Sequence, residues 1–210
     1  MYRFFEQLSS RIAAPFMVES SRNSKVWQCR CGQSLFFRNS QCLACAALLG
    51  YHPQQSRLSS LQPGPVADTW LLDDNLDAGA FRRCANLDSP AACNWLIRAH
   101  STRSLCVACS LNRTIPDLSI PENPERWCKV ETAKRRLVAQ LISLGLHVVP
   151  KSVDEDNGLA FDFVGIDLEG NAPTTGHANG LITLDIKEAD DAHREKIRVQ
   201  MREPYRTLLG

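Results

Sequence analysis

The 210-residue sequence has no run of about 18 apolar residues, the length a helix needs to cross a bilayer, which argues against a helical membrane span. Its N-terminus also lacks the continuous apolar core and small-residue cleavage site of a secretory leader, so the cytoplasm is the expected compartment. Bulk disorder is excluded too, because 44% hydrophobic and 22% charged residues are the proportions of an ordinary globular chain of one or two domains. Nor is there a large excess of either charge, the formal net value being +1. A balance this close to neutral gives no argument for a nucleic-acid partner.

What the chain has in quantity is cysteine. Nine thiols in a reducing compartment persist unless a metal holds them, and their spacing points to metal. Cys29-Arg30-Cys31 and Cys42-Leu43-Ala44-Cys45 can each present two sulfurs from a tight turn, with Gly32 supplying backbone freedom to the first. This C-x-C, ten residues, C-x-x-C pattern predicts a zinc site of rubredoxin-like knuckles, although the single residue between Cys29 and Cys31 is one fewer than usual. Cys106-Val107-Ala108-Cys109 makes a second knuckle. Cys84 and Cys93, separated by eight residues, complete a second site partly by elimination. A redox role for Cys106 and Cys109 competes with zinc, but the strand and long helix of a thioredoxin-type motif are not evident around them. Cys128, left over near the start of a helix, is read as a small buried hydrophobe.

Four thiolates complete the tetrahedron that zinc prefers and leave no position for a reacting water, so both expected ions are structural. The segment from Val26 to Gly50 is too short to bury a core. A structural zinc contributes about 10–16 kcal/mol in small domains against about 3 kcal/mol for a short-loop disulfide, so metal must dominate folding there. Trp27, Phe36, Phe37, Phe81 and Trp95 lie near the two cysteine blocks and are read as the core of a small zinc domain in preference to stacking platforms for nucleic acid. Arg30 and its neighbours are likewise read as counter-charge to the metal site.

Helical spacing of Phe4, Phe5, Leu8, Ile12 and Phe16 predicts an amphipathic helix, and residues 1–25 are taken as that helix and a linker. Residues 26–115 are the expected zinc-ribbon region, with short strands at 26–29 and 34–37. The Pro-, Gln- and Ser-rich stretch from Gly50 to Ala80 reads as connection with one short strand near Thr69 to Leu72. Residues 116–210 form the expected α+β part. In it, Asn123 caps a helix that starts at Pro124, ends at Gly145 and buries Trp127, Val130, Leu137, Leu141 and Leu144. Strands are expected at 146–149, 159–164 and 181–186, then a helix over 188–201 that Pro204 interrupts, and the start of another helix at 205–210.

The motifs Cys29-Arg30-Cys31-Gly32-Gln33-Ser34-Leu35-Phe36-Phe37, Cys42-Leu43-Ala44-Cys45, Arg82-Arg83-Cys84, Cys93-Asn94-Trp95-Leu96, Leu159-Ala160-Phe161-Asp162-Phe163 and Glu203-Pro204-Tyr205-Arg206-Thr207-Leu208-Leu209-Gly210 resemble a bacterial family of zinc-binding metallopeptidases with an N-terminal zinc-ribbon region. The resemblance implies a zincin-like α+β domain acting on a peptide or protein substrate, in which two histidines and a glutamate of H-E-x-x-H hold and use a catalytic zinc. It also implies that the strand from Gly180 to Ile186 is the sheet edge that receives extended substrate. H-E-x-x-H occurs nowhere among His52, His100, His147, His177 and His193, and the family's active-site helix would begin where this chain stops. The resemblance therefore implies the N-terminal part of such an enzyme, with no catalytic residue of its own, and a non-enzymatic zinc-ribbon adaptor for nucleic acid or protein is the alternative.

Overall fold

The computed structural model describes residues 26–165, 173 and 175–209; the expected N-terminal helix lies outside them. The architecture is mixed α and β. Strands β1 (Val26–Gln28) and β2 (Ser34–Phe36) form an antiparallel pair across the first cysteine turn. An antiparallel five-stranded sheet follows in chain order, made of β3 (Leu49–His52), β4 (Arg57–Pro63), β5 (Trp70–Leu72), β6 (Phe81–Arg83) and β7 (Leu96–Arg98). It curls back on itself, since the Tyr51 N–H donates to the Asn94 carbonyl at 2.9 Å and brings β3 beside the approach to β7. Gly50 makes that approach possible: a Cβ there would lie 2.5–2.9 Å from the Leu96 side chain.

The stretch read as connection thus contains the expected short strand, as β5, and in addition β4 and most of β3. Its strand signal is hidden because Ser59 and Ser60, buried between Leu58 and Leu61, break the expected apolar-polar alternation.

β8 (Asn112–Thr114) leads through helix α1 (Asn123–Ser143) to β9 (Ala160–Val164), and β8 and β9 pair in parallel. With β10 (Gly176–Ala178) and β11 (Leu181–Asp185) they make a sheet ordered β10-β11-β9-β8. Helix α2 (Asp191–Met201) is the last helix or strand among the described residues. Residues 146–149 form no strand, only a bridge from Pro150 to Leu159, and no helix covers 205–209. Asn123 is the first helical residue and not a cap; its amide donates to the Asp117 carbonyl at 2.8 Å and secures the turn before α1. At the other end, Gly145 takes the left-handed conformation (φ 71) expected after a helix C-terminus.

One continuous core joins the parts. Leu35, Tyr51 and Trp95 belong to the same buried cluster as Trp127, Val130, Phe161 and Phe163. Phe37 meets Tyr51 edge-on at 4.9 Å and Trp95 at 6.5 Å, so these expected aromatics do build the core. Phe36 stands 56% exposed, and Phe81 is buried in a second, smaller cluster with Leu61, Leu72 and Leu96.

Candidate metal centres

The first centre hangs from two turns. The Cys29 N–H donates to Gln33 O and the Gly32 N–H to Cys29 O, both at 2.8 Å, with Gly32 at φ 85. The second turn repeats the device, the Ala46 N–H donating to Cys42 O at 2.9 Å with Ala46 at φ 57. Cys29, Cys31, Cys42 and Cys45 then place their sulfurs within 4.8 Å of one another, Cys29 to Cys45 at 3.6 Å and Cys31 to Cys42 at 3.7 Å. A tetrahedron with Zn–S bonds of about 2.3 Å has sulfurs about 3.8 Å apart, whereas a disulfide needs about 2.05 Å. The set therefore fits a zinc ion, and neither close pair is a disulfide.

Ser60 of β4 anchors this centre to the five-stranded sheet. Its Oγ accepts from the Arg30 N–H at 3.2 Å, which leaves the hydroxyl proton free to point at Cys29 Sγ, 3.3 Å away. Burial raises the Cys29 pKa, but the Cys31 backbone, Ser60 and the neighbouring thiols outweigh it and hold that thiol down to about 6. Cys31 goes the other way: a backbone hydrogen bond at Gln33 lowers it, yet Cys45 and the other thiols push it up to about 11. Bringing all four to the thiolate state requires a cation. Cys29 and Cys42 are buried, while Cys31 and Cys45 face solvent.

At the second centre all four thiols are buried, and Cys84, Cys93, Cys106 and Cys109 again lie within 4.8 Å of one another. The loose spacing of Cys84 and Cys93 has a simple cause. They sit at the loop end of the β6–β7 hairpin, where the Cys84 N–H donates to Trp95 O and the Cys93 N–H to Asn86 O, both at 3.0 Å. The eight residues between them loop out through a 3-10 turn at Ala85–Leu87. Cys93 and Cys106 sulfurs are 3.6 Å apart, and Cys84 Sγ accepts from the Cys106 N–H at 3.3 Å. Hydrogen bonds from Cys106, Cys109 and Cys93 hold Cys84 far below the usual thiol range, whereas burial drives Cys106 well above it. Cys109 is lowered to about 7, first by its bond with Cys106.

Beside this centre lies a buried charged cluster that the sequence reading missed. Glu131 and Lys134 of α1 have fully buried side chains, and Lys134 Nζ donates to Glu131 Oε1 at 2.5 Å. Asn112 Nδ2 donates to the same oxygen at 2.9 Å, and Lys134 also bonds Asn112 Oδ1. Glu131 Oε2 lies 3.9 Å from Cys109 Sγ and 3.8 Å from Arg135 Nη1, which donates to Ala91 O at 2.9 Å. The inward face of α1 is thus Trp127, Val130, Glu131, Lys134, Arg135 and Val138, while Leu144, expected inside, is exposed. A signal is present in the i, i+3, i+4, i+7 spacing of these positions on one helix face, but three of them are charged, which masks the face as apolar.

Among the described residues, cysteine, histidine and carboxylate side chains gather into metal-sized groups of three or more only at these two centres. His193 approaches Asp185 at 4.0 Å, His177 is exposed on β10, and Cys128 is half-buried on α1 outside both centres. The strand expected as a sheet edge, β11, lies between β10 and β9; the edge on that side is β10, short and exposed.

Residues 26–120 match a family described as "zinc-ribbon domain", and residues 123–210 match one described as "Putative zinc-binding metallo-peptidase". The chain thus carries a zinc-ribbon match followed by a match to the putative metallo-peptidase family. Uncharacterized proteins of Mycobacterium tuberculosis and Mycobacterium bovis are each 42% identical to it over 180 residues, which is 86% of this chain and 48% of theirs. The chain therefore spans about half the length of the curated relatives it matches. No solved structure matches it. Among the described residues, no helix is long and apolar enough to cross a membrane.

Proposed function

We propose that this chain is the zinc-ribbon and scaffold portion of a zinc metallopeptidase, with Cys29, Cys31, Cys42 and Cys45 holding one structural zinc and Cys84, Cys93, Cys106 and Cys109 a second. The observation that carries it is the closure of both centres by four thiolates beside a region matching the metallo-peptidase family. Zinc bound by four sulfurs supplies folding free energy and no activated water. Since H-E-x-x-H is absent from these 210 residues, peptide hydrolysis belongs to a segment outside them, and a peptide or protein substrate would meet this portion as scaffold.

Metal analysis of the purified chain tests this directly. Two zinc per chain and no peptidase activity are expected; one zinc, or hydrolysis abolished by a chelator, would refute it. A non-enzymatic adaptor is the second reading, favoured by the apolar tip of the first ribbon, where Leu43 is 91% exposed and Phe36 stands out of the core. Nucleic-acid binding by that ribbon would weaken steeply with salt, and its absence at low salt would leave protein as the partner class.

A further inference from the structure

We infer that Glu131, Lys134 and Asn112 form the outer sphere of the second zinc centre and make its occupancy the lock between the ribbon and the α1–β9 layer. The inference rests on the reading of that centre as a zinc site. A tetrathiolate zinc carries a net charge of −2, and all four of its sulfurs are removed from solvent. A buried carboxylate 3.9 Å from one of those sulfurs would add a third negative charge in a region of low dielectric. Lys134 relieves this. Its ammonium contacts Glu131 at 2.5 Å with no exposure to water, and Arg135 stands 3.8 Å from the other carboxylate oxygen.

The same groups reach into the sheet. Asn112, which bonds both Glu131 and Lys134, opens β8, and β8 pairs with β9 at Phe161. Lys134 Nζ lies 5.7 Å over the Phe161 ring and 5.6 Å over that of Phe163. Arg135 holds the Ala91 carbonyl in the loop between Cys84 and Cys93. Zinc, its thiolates, the α1 charges and the β9 aromatics therefore form one connected set. Among the described residues the first centre has no such helix behind it: its outer contacts on the sheet are the Ser60 hydroxyl and the surface pair of Arg30 with Asp73.

Outer-sphere partners of this kind change metal affinity by about 10–100-fold when removed. The test compares zinc affinity of each equivalent, by chelator competition, in the zinc-loaded wild type, Lys134→Met, Lys134→Arg and Glu131→Gln. Wild type must first hold two zinc per chain; fewer would remove the underlying reading rather than this one. Lys134→Met is expected to weaken the second-centre equivalent by about 10–100-fold while the first stays unchanged, with Lys134→Arg restoring much of it. Glu131→Gln removes a negative charge beside Cys109 and is expected to hold zinc at least as tightly as wild type. That opposite sign separates electrostatic support from packing, because a merely structural loss weakens binding in both variants. Equal weakening by Lys134→Met and Glu131→Gln, or no weakening by Lys134→Met, overturns the proposal. Should Lys134→Met fail to fold, wild type stripped of its second zinc is expected to lose hydrogen-exchange protection in β8 and β9, and unchanged protection there overturns it.

Discussion

The two centres differ in one respect that sets the rate at which each gives up metal. Two of the four sulfurs at the first centre, those of Cys31 and Cys45, are exposed, while none is at the second. A chelator or mercurial can attack the first centre in the native state, but must wait for an opening of the fold to reach the second. Because that centre sits in the continuous core with Trp95, Trp127 and Phe161, the opening is close to global, and a domain stability of about 5 kcal/mol is the lower end of the usual range. At about 1.4 kcal/mol per factor of ten, such an opening slows release by about 10³–10⁴-fold. A chromogenic chelator added with a thiol reagent should therefore release one zinc equivalent quickly and the second over a time longer by that factor. Denaturant should merge the two phases. Peptide mapping after a short alkylation pulse should find label on Cys31 and Cys45 before any of Cys84, Cys93, Cys106 or Cys109. Release of both equivalents in a single fast phase from native protein, or early label on Cys84, would refute the reasoning.

Further outcomes follow from particular contacts. Gly50→Ala forces a methyl to within 3 Å of Leu96 and should destabilise the five-stranded sheet by about 1–3 kcal/mol, read from the denaturation midpoint; a neutral result would mean that β3 and β7 do not approach there. Glu188, buried, is gripped by Arg206 at 2.5 and 3.0 Å, so Arg206→Ala should cost about 2–4 kcal/mol by taking from that carboxylate the guanidinium that neutralises it. Asp162 is held below the usual carboxylate range, first by its hydrogen bonds with Arg113 and then by their charge attraction, with burial opposing. Its stabilising effect is present above the unfolded pKa of about 3.9 and disappears as pH falls through the lower folded value. The Tm difference between wild type and Asp162→Asn should therefore shrink as pH is lowered from about 5 to about 3, and a difference that grows would contradict the ion pair.

The first centre and the helix from 123 to about 143 were legible in the sequence because both are short-range patterns. Closely spaced thiols can meet only at a common point, and Pro124 followed by apolar residues at helical spacing writes a helix without help from elsewhere. Cys84 and Cys93 were paired by elimination, since the hairpin that brings them together is a matter of strand register and not of spacing. The five-stranded sheet was largely invisible. Ser59 and Ser60 are buried in it, and what makes these polar residues interior is partners contributed by distant residues, Asp74 for Ser59 and Cys29 and Arg30 for Ser60.

Thiol spacing, then, determined by itself that the chain gathers its first four sulfurs at one point, because local chain geometry leaves them little choice. Tertiary structure alone decided that Glu131, Lys134 and Arg135 face inward. Their ion pairs lie within α1, but buried charges also need hydrogen-bond partners, and those come from outside the helix, from Asn112 and the Ala91 carbonyl. Tertiary structure also decided that one centre is open to solvent and the other sealed, because burial belongs to what packs over a site and not to the residues that form it.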